Sequence, residues 1–257
     1  MPKVSVLTVF KRPKGEELVG KCLLNQTFED WEWIQVTPLT NTLVLKNTKV
    51  IPEPKANPGD VWNLNKAYNA GFRACEGELI VSIQDEVWFP EEGLEKFWMC
   101  YQEEPKGCVT GVGDKYQRLD DFGKPEVKLW ADPRKYNTGF SFYEVNPNDW
   151  ELNYASVPTQ AMYDIGGFDE SFDGHYGWDN VDVAIRLDHF DYKFFIDKSN
   201  ESRSLIQTRP ADWEEKNAYA GNAERDTVKM NNSFFMKIQK ERAAGRYPFK
   251  MEYLKRG

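Results

Sequence analysis

Two short acidic stretches hold the residues of this chain whose types and spacing suit chemistry. One is Gln84-Asp85-Glu86, which follows the apolar run Leu79-Ile80-Val81-Ser82-Ile83. The other begins at Gly166-Gly167-Phe168-Asp169-Glu170 and continues through His175-Tyr176-Gly177-Trp178 to Asp179-Asn180-Val181-Asp182, at the entrance to a helix. Adjacent carboxylates at a strand end suit a hard cation, held directly or through its water. They read equally well as a turn residue beside a solvated glutamate. In the second stretch the glycine pair permits positive φ and close backbone approach to a ligand. A carboxylate beside it can accept the proton of an attacking hydroxyl. Asp179 is also placed to cap the helix, and Asp182 to face its dipole.

For the two stretches to act together, the intervening elements must bring them to one edge. Residues 4–10 form an apolar run rich in β-branched side chains, the pattern of a buried strand. Residues 16–25 repeat apolar positions at helical spacing, residues 33–36 read as a strand, and residues 43–51 as one or two more. A proline-rich loop over 52–58 precedes a helix with Asp60 as its expected N-cap and Leu64, Ala67, Tyr68, Gly71 and Cys75 inward. Residues 79–84 are a strand, Leu94, Phe97, Trp98 and Tyr101 a helical stripe, and 107–112 another strand. Such alternation predicts an α/β fold whose mostly parallel central sheet is covered by helices on both faces. Ligands of such sheets bind at the carboxyl ends of strands.

Beyond residue 113 the pattern loosens. Short strands are expected at 140–144, 154–157 and 193–196, helical turns at 158–164, and helices at 180–190 and 222–244. The last carries Val228, Phe235 and Ile238 on one side. We expect a single domain of two halves, 1–112 and 113–205, with a C-terminal helical extension over 206–257.

Hydrophobic residues make up 40% of the 257 and aromatics 14%, which fits a packed globular chain. The nine tryptophans exceed what a core of this size ordinarily needs, and sugar C–H faces stack on such rings. A net charge of −8 excludes a broad grip on nucleic-acid phosphates. Cys22, Cys75, Cys100 and Cys108 show no metal-ligand spacing and read as buried free thiols. With neither a leader pattern nor an apolar run of membrane-spanning length, a soluble, cytoplasmic location is expected.

In order and content, these stretches resemble the inverting nucleotide-sugar glycosyltransferases of family 2, which have the GT-A fold. Val4-Ser5-Val6-Leu7-Thr8-Val9-Phe10-Lys11-Arg12-Pro13 resembles the family's first strand and loop. Ala67-Tyr68-Asn69-Ala70-Gly71 and Ala74-Cys75-Glu76-Gly77-Glu78-Leu79-Ile80 resemble the helix and strand before its metal turn. Gln84-Asp85-Glu86-Val87-Trp88-Phe89-Pro90 is similar to that turn itself. The resemblance implies a nucleoside diphosphate sugar donor lined by Thr8, Phe10, Arg12, Asn65, Asn69, Gln84 and Asp85. It implies a divalent cation, Mn2+ or Mg2+, on Asp85 and Glu86. It places a glycan, lipid-linked or other hydroxyl acceptor near Gly166, Gly167, His175 and Trp178. For the base it offers Asp179, ahead of Asp182, with Asn180 in the position where the family has its aspartate.

Three departures qualify this. Ile83 stands where the first metal-turn aspartate is usual, Val36-Thr37-Pro38-Leu39 replaces the acidic pair near the nucleotide base, and the segment 204–209 lacks a late histidine. In that segment Gln207 or Arg209 is a substitute contact for the diphosphate. Ile83 and Asn180 favour a second reading, a degenerate protein that binds a nucleotide sugar or glycan without turnover. A nucleotidyltransferase, the third, would need a basic, glycine-rich loop that Lys11-Arg12-Pro13-Lys14-Gly15 only faintly resembles.

Overall fold

The computed structural model describes residues 1–55, 63–119, 125–137, 139–174, 177–205 and 222–255. Asp60, His175, Gln207 and Arg209 lie outside the described residues, as does the side chain of Val228. One sheet runs through both expected halves. Strand β1 (Val4–Val9) lies between β2 (Trp31–Thr37) and β4 (Leu79–Ile83), with β3 (Thr48–Pro52) beyond β2, all parallel. Past β4 comes β9 (Tyr154–Pro158), antiparallel to both β4 and β6 (Gly107–Leu119). The parallel pair of β6 and β10 (Lys193–Leu205) completes the main path. Three short strands join antiparallel: β5 (Val87–Trp88) and β8 (Phe142–Val145) on β10, and β7 (Pro125–Trp130) on β6. The expected boundary at residue 112 therefore falls inside β6.

Alternation along the strands sends side chains to opposite faces, and each face is covered. On one, Leu7, Ile34, Val36 and Ile80 pack against helices α2 (Leu64–Ala74), α4 (Thr159–Asp164) and α5 (Asp179–His189). On the other, Val4, Val6, Trp33 and Val81 meet α1 (Glu17–Leu24) and α3 (Gly93–Glu103). Each large apolar side chain fully buried here contributes about 1.5–3 kcal/mol. The last helix, α6 (Asn222–Ala243), sets Phe235 and Ile238 against Phe172 in a smaller third cluster. All four cysteines are free, and burial pushes the Cys22 thiol up to about 11. No helix among the described residues is long and apolar enough to cross a membrane.

Some boundaries differ from expectation. β10 runs on to Leu205, well past the expected end at residue 196, after a register shift between Asp197 and Glu201. Its second part, Lys198-Ser199-Asn200-Glu201-Ser202, is too polar to read as a strand. It is held by the buried Asn200, which accepts from the Tyr154 hydroxyl at 2.6 Å and donates to the Gly93 carbonyl at 3.1 Å. The 140–144 strand is found two residues later, as β8.

Behind α4 the chain turns at Gly166 (φ +71°) and Gly167 (φ +87°), and the C-terminal segment closes over them. Met251 donates its N–H to Ile165 O, and Tyr253 and Leu254 donate theirs to Gly166 O. A Cβ on Gly166 would lie 1.7 Å from the Met251 carbonyl oxygen. Gly245 shares the left-handed backbone (φ +69°), but a Cβ there would meet nothing within 4 Å. Gly245→Ala is therefore expected to cost only the backbone penalty, about 1–2 kcal/mol. Gly166→Ala should cost clearly more in urea unfolding, because the C-terminal segment must also lift; equal losses would disprove this account of the glycine.

Candidate functional site

The acidic turn follows β4 directly. Asp85 is 7% exposed, and Glu86 adopts a left-handed backbone (φ 60°). Glu86 donates its N–H to Gly15 O at 2.8 Å, which fastens the loop after β1 onto the turn. From that loop Arg12 reaches back. Its Nε and Nη2 donate to Asp85 Oδ2 and Oδ1 at 2.8 and 2.7 Å, and its Nη1 donates to Glu86 Oε2 at 3.1 Å. This fork-on-carboxylate geometry is the strong form of the ion pair. Burial raises the pKa of Asp85 all the same, outweighing the attraction of Arg12.

The fit of this turn to a divalent cation is poor. Ile83 supplies no ligand, both carboxylates are engaged by one guanidinium, and a Cβ on Gly15 would sit 2.7 Å from Asp85 Oδ2. Among the described residues, no three His, Cys, Asp or Glu side chains group as a metal site. The metal pair expected from sequence, Asp85 and Glu86, is thus brought together, but around an internal cation.

The second stretch is fastened to α2. Asn69, fully buried, accepts from Phe168 N at 2.8 Å and donates to Phe168 O and Glu170 Oε1, each at 3.0 Å. A Cβ on Gly167 would press on Asn69 Oδ1 at 2.5 Å. The close approach that Gly166 and Gly167 permit is therefore to Met251 and Asn69, where the sequence suggested an acceptor. Asn69 likewise spends its carboxamide on this loop, where a donor contact was expected. Asp173 then caps α2 from a distance, accepting from Asn65 N at 2.9 Å and Lys66 N at 3.1 Å. Asn65 is 1% exposed, and neither end of its carboxamide finds a partner.

At the start of α5, Trp178 takes a left-handed backbone (φ 71°) and stacks on Phe235 at 5.0 Å, so one ring face is already covered. Asp179, partly buried, accepts the N–H of Asn180 at 3.0 Å. Burial raises its pKa above the ordinary value of 3.8, against the opposing pull of that hydrogen bond. A helix N-terminus favours the ionised carboxylate, and here desolvation outweighs it. Asp182 is not brought to the site. It is 1% exposed and locked between two arginines, with Arg186 Nε at 2.8 Å and Arg242 Nη1 on its other oxygen.

Tyr68 links the two stretches. Its buried hydroxyl has its pKa raised to about 12, mainly by burial, with the charges of both Asp179 and Asp85 adding. Of the two carboxylates that sequence picks out, Asp85 stands at the carboxyl end of β4 and Asp179 at the start of α5. A cavity of about 320 Å³ is lined by Asp85, Arg12, Gln84, Lys115, Trp130 and Arg134, among others; Asp179 is not part of its wall. Trp130 is 40% exposed and carries Lys115 over its ring at 5.2 Å. Arg134 is held by the buried Asp132 at 2.6 Å. Trp130 and Arg134 escaped the sequence reading because they lie in its unpatterned part, and Tyr68 because helical spacing marks it only as core. Thr8 is fully buried and accepts from Trp33 Nε1 at 3.0 Å, and Phe10 is buried beside it.

No protein-family model matches the chain, and no curated protein does. Among solved structures, it is similar to "GalNAc-T7 with UDP, GalNAc and Mn2+" at a TM-score of 0.59 and 12% identity, over 80% of this chain and 44% of that one. It is also similar to S. aureus TarS 1-349 in complex with UDP, at a TM-score of 0.54 and 14% identity, over 80% of this chain and 61% of that one. The chain spans about half the length of these structures. The α/β sheet described above is a GT-A glycosyltransferase fold.

One property of the site can be read from stability alone. Burial raises the pKa of Asp173 to about 6, against the two N–H groups it caps. The unfolded value is near 3.9, so between these limits the folded chain holds the extra proton and loses stability as pH rises. Thermal melts from pH 4 to 7 should show this slope, and Asp173→Asn should flatten it; an unchanged slope would refute the assignment.

Proposed function

We propose that the chain is a glycosyltransferase of the family 2 type, moving a sugar from a nucleoside diphosphate sugar to an acceptor hydroxyl with inversion. The observation that carries this is a GT-A sheet with the acidic turn of Asp85 at the carboxyl end of β4, beside a cavity of about 320 Å³ that Arg12, Gln84 and Trp130 line. Ligands of open α/β sheets bind at that edge. The residues 1–112 hold the donor, with Phe10, Arg12 and Gln84 nearest to it, and 113–205 the acceptor, beside Trp178 and Trp130. The acceptor is a glycan, a lipid-linked sugar or another hydroxyl compound, met in the cytoplasm.

In the proposed step the acceptor oxygen forms a bond to the anomeric carbon while the bond to the diphosphate breaks. The electron pair of the broken bond stays with the diphosphate, and the acceptor proton passes to Asp179. A carboxylate desolvated as Asp179 is holds a proton better than one in water, as a base near neutral pH requires. Asn180 cannot take the proton and serves as its hydrogen-bonded neighbour. At the acidic turn Arg12 holds both carboxylates and presents its guanidinium to the leaving diphosphate.

A second reading keeps the donor and drops the turnover. Ile83 and the engaged Asp85 favour it, since both depart from a metal turn ready for use. Donor hydrolysis and transfer, assayed with and without manganese, separate the two. Asp179→Asn is expected to reduce transfer by about 10²–10⁴-fold with donor affinity unchanged. The base must be ionised, so activity should fall as pH drops through a value above the ordinary carboxylate range, and the variant should lack this limb. Transfer that survives the substitution would remove Asp179 from the reaction.

A further inference from the structure

We infer that Arg12 fills the role of the divalent cation at the acidic turn, so that this chain closes the turn to metal and meets the diphosphate with a guanidinium. The inference rests on the nucleotide-sugar reading above for its ligand, and on three observations of its own. First, Arg12 bonds to both carboxylates that a cation would need, twice to Asp85 and once to Glu86. Second, the loop that carries Arg12 is fixed in place by its backbone. Gly15 accepts from Glu86 N at 2.8 Å and lies so close that even a Cβ would be 2.7 Å from Asp85 Oδ2. A hydrated ion on that oxygen would have to displace the loop. Third, Ile83 occupies the position from which a further carboxylate would come.

A small hard cation needs several oxygen ligands in a regular shell, and it repels a neighbouring guanidinium. Removing Arg12 from a buried carboxylate to admit the ion exchanges one cation for another at the cost of stranding the first. Arg12 has more N–H donors than these three bonds use, and its side chain is 41% exposed toward the cavity it lines. The donors left over can bind phosphate oxygens in the planar, forked manner that suits arginine. Lys115 and Arg134 line the same cavity and add positive charge around an anion.

The test has two arms on the full chain. In the first, Mn2+ alone is titrated and its free signal followed by electron paramagnetic resonance. The wild type should leave that signal unchanged, and Arg12→Gln is checked for folding by circular dichroism. In the second, UDP, GDP and ADP are titrated calorimetrically in EDTA and in Mn2+. The nucleotide that binds should do so within twofold in both buffers, and at least tenfold more weakly to Arg12→Gln. Mn2+ uptake by the wild type that Asp85→Asn abolishes would overturn the inference, as would a nucleotide that binds only with Mn2+. Should no nucleotide bind in either buffer, the donor reading fails, while the Mn2+ arm still decides whether the turn is closed to metal.

Discussion

The reciprocal pair of hydrogen bonds between Asn69 and the backbone of Phe168 is the fastening on which the site depends. A single buried carboxamide satisfies both main-chain groups of a residue 99 positions away, and its remaining N–H reaches Glu170. Net, such bonds contribute only about 1 kcal/mol each, but a buried group left without one costs more. The loop that leads to α5 is therefore held against α2 in one register. Phe168 stacks on Tyr68 at 5.1 Å, so the fastening also fixes that ring. Asp173 adds a second tie at the amino end of the same helix.

Behind this fastening lies a fully buried ion cluster. Arg186 joins Asp182 to the carbonyls of Ile165 and Gly167, and Arg242 joins the same carboxylate from α6. Buried ion pairs seldom add net stability, because desolvation offsets their attraction, but removing one partner is severe. The cluster's consequence here is positional. It sets the pitch of α5, and hence the place of Asp179 one turn before Asp182, and it binds α6 to the body of the protein through a side chain on its last turn.

The layout was legible where side chains repeat at a fixed period. The stripes of α2 and α3 and the apolar runs of β1 and β4 need no distant partner to be seen. What escaped was set by residues far away in the chain. Asp182 reads as a base candidate because its pairing with Arg242, 60 positions on, leaves no local trace. The helix cap is Asp173, 108 residues beyond its first N–H partner, a distance over which capping patterns say nothing. The glycine pair announced its backbone requirement, but the groups pressing on it, Met251 and Asn69, were invisible. The polar half of β10 could not be read as a strand, since edge pairing and one buried asparagine hold it instead of apolar alternation.

The two candidate carboxylates share a raised pKa, yet their surroundings divide them. Asp85 is buried beside a guanidinium that takes both its oxygens, so neither oxygen is free for the acceptor. Asp179 has no cation bonded to it among the described contacts and accepts only a backbone N–H, so ionisation there is opposed by desolvation with little to compensate. Environments that differ in this way assign different tasks to the same residue type. In the proposed reaction the first is an anchor that aims a positive charge at the departing phosphates, and the second is the proton acceptor.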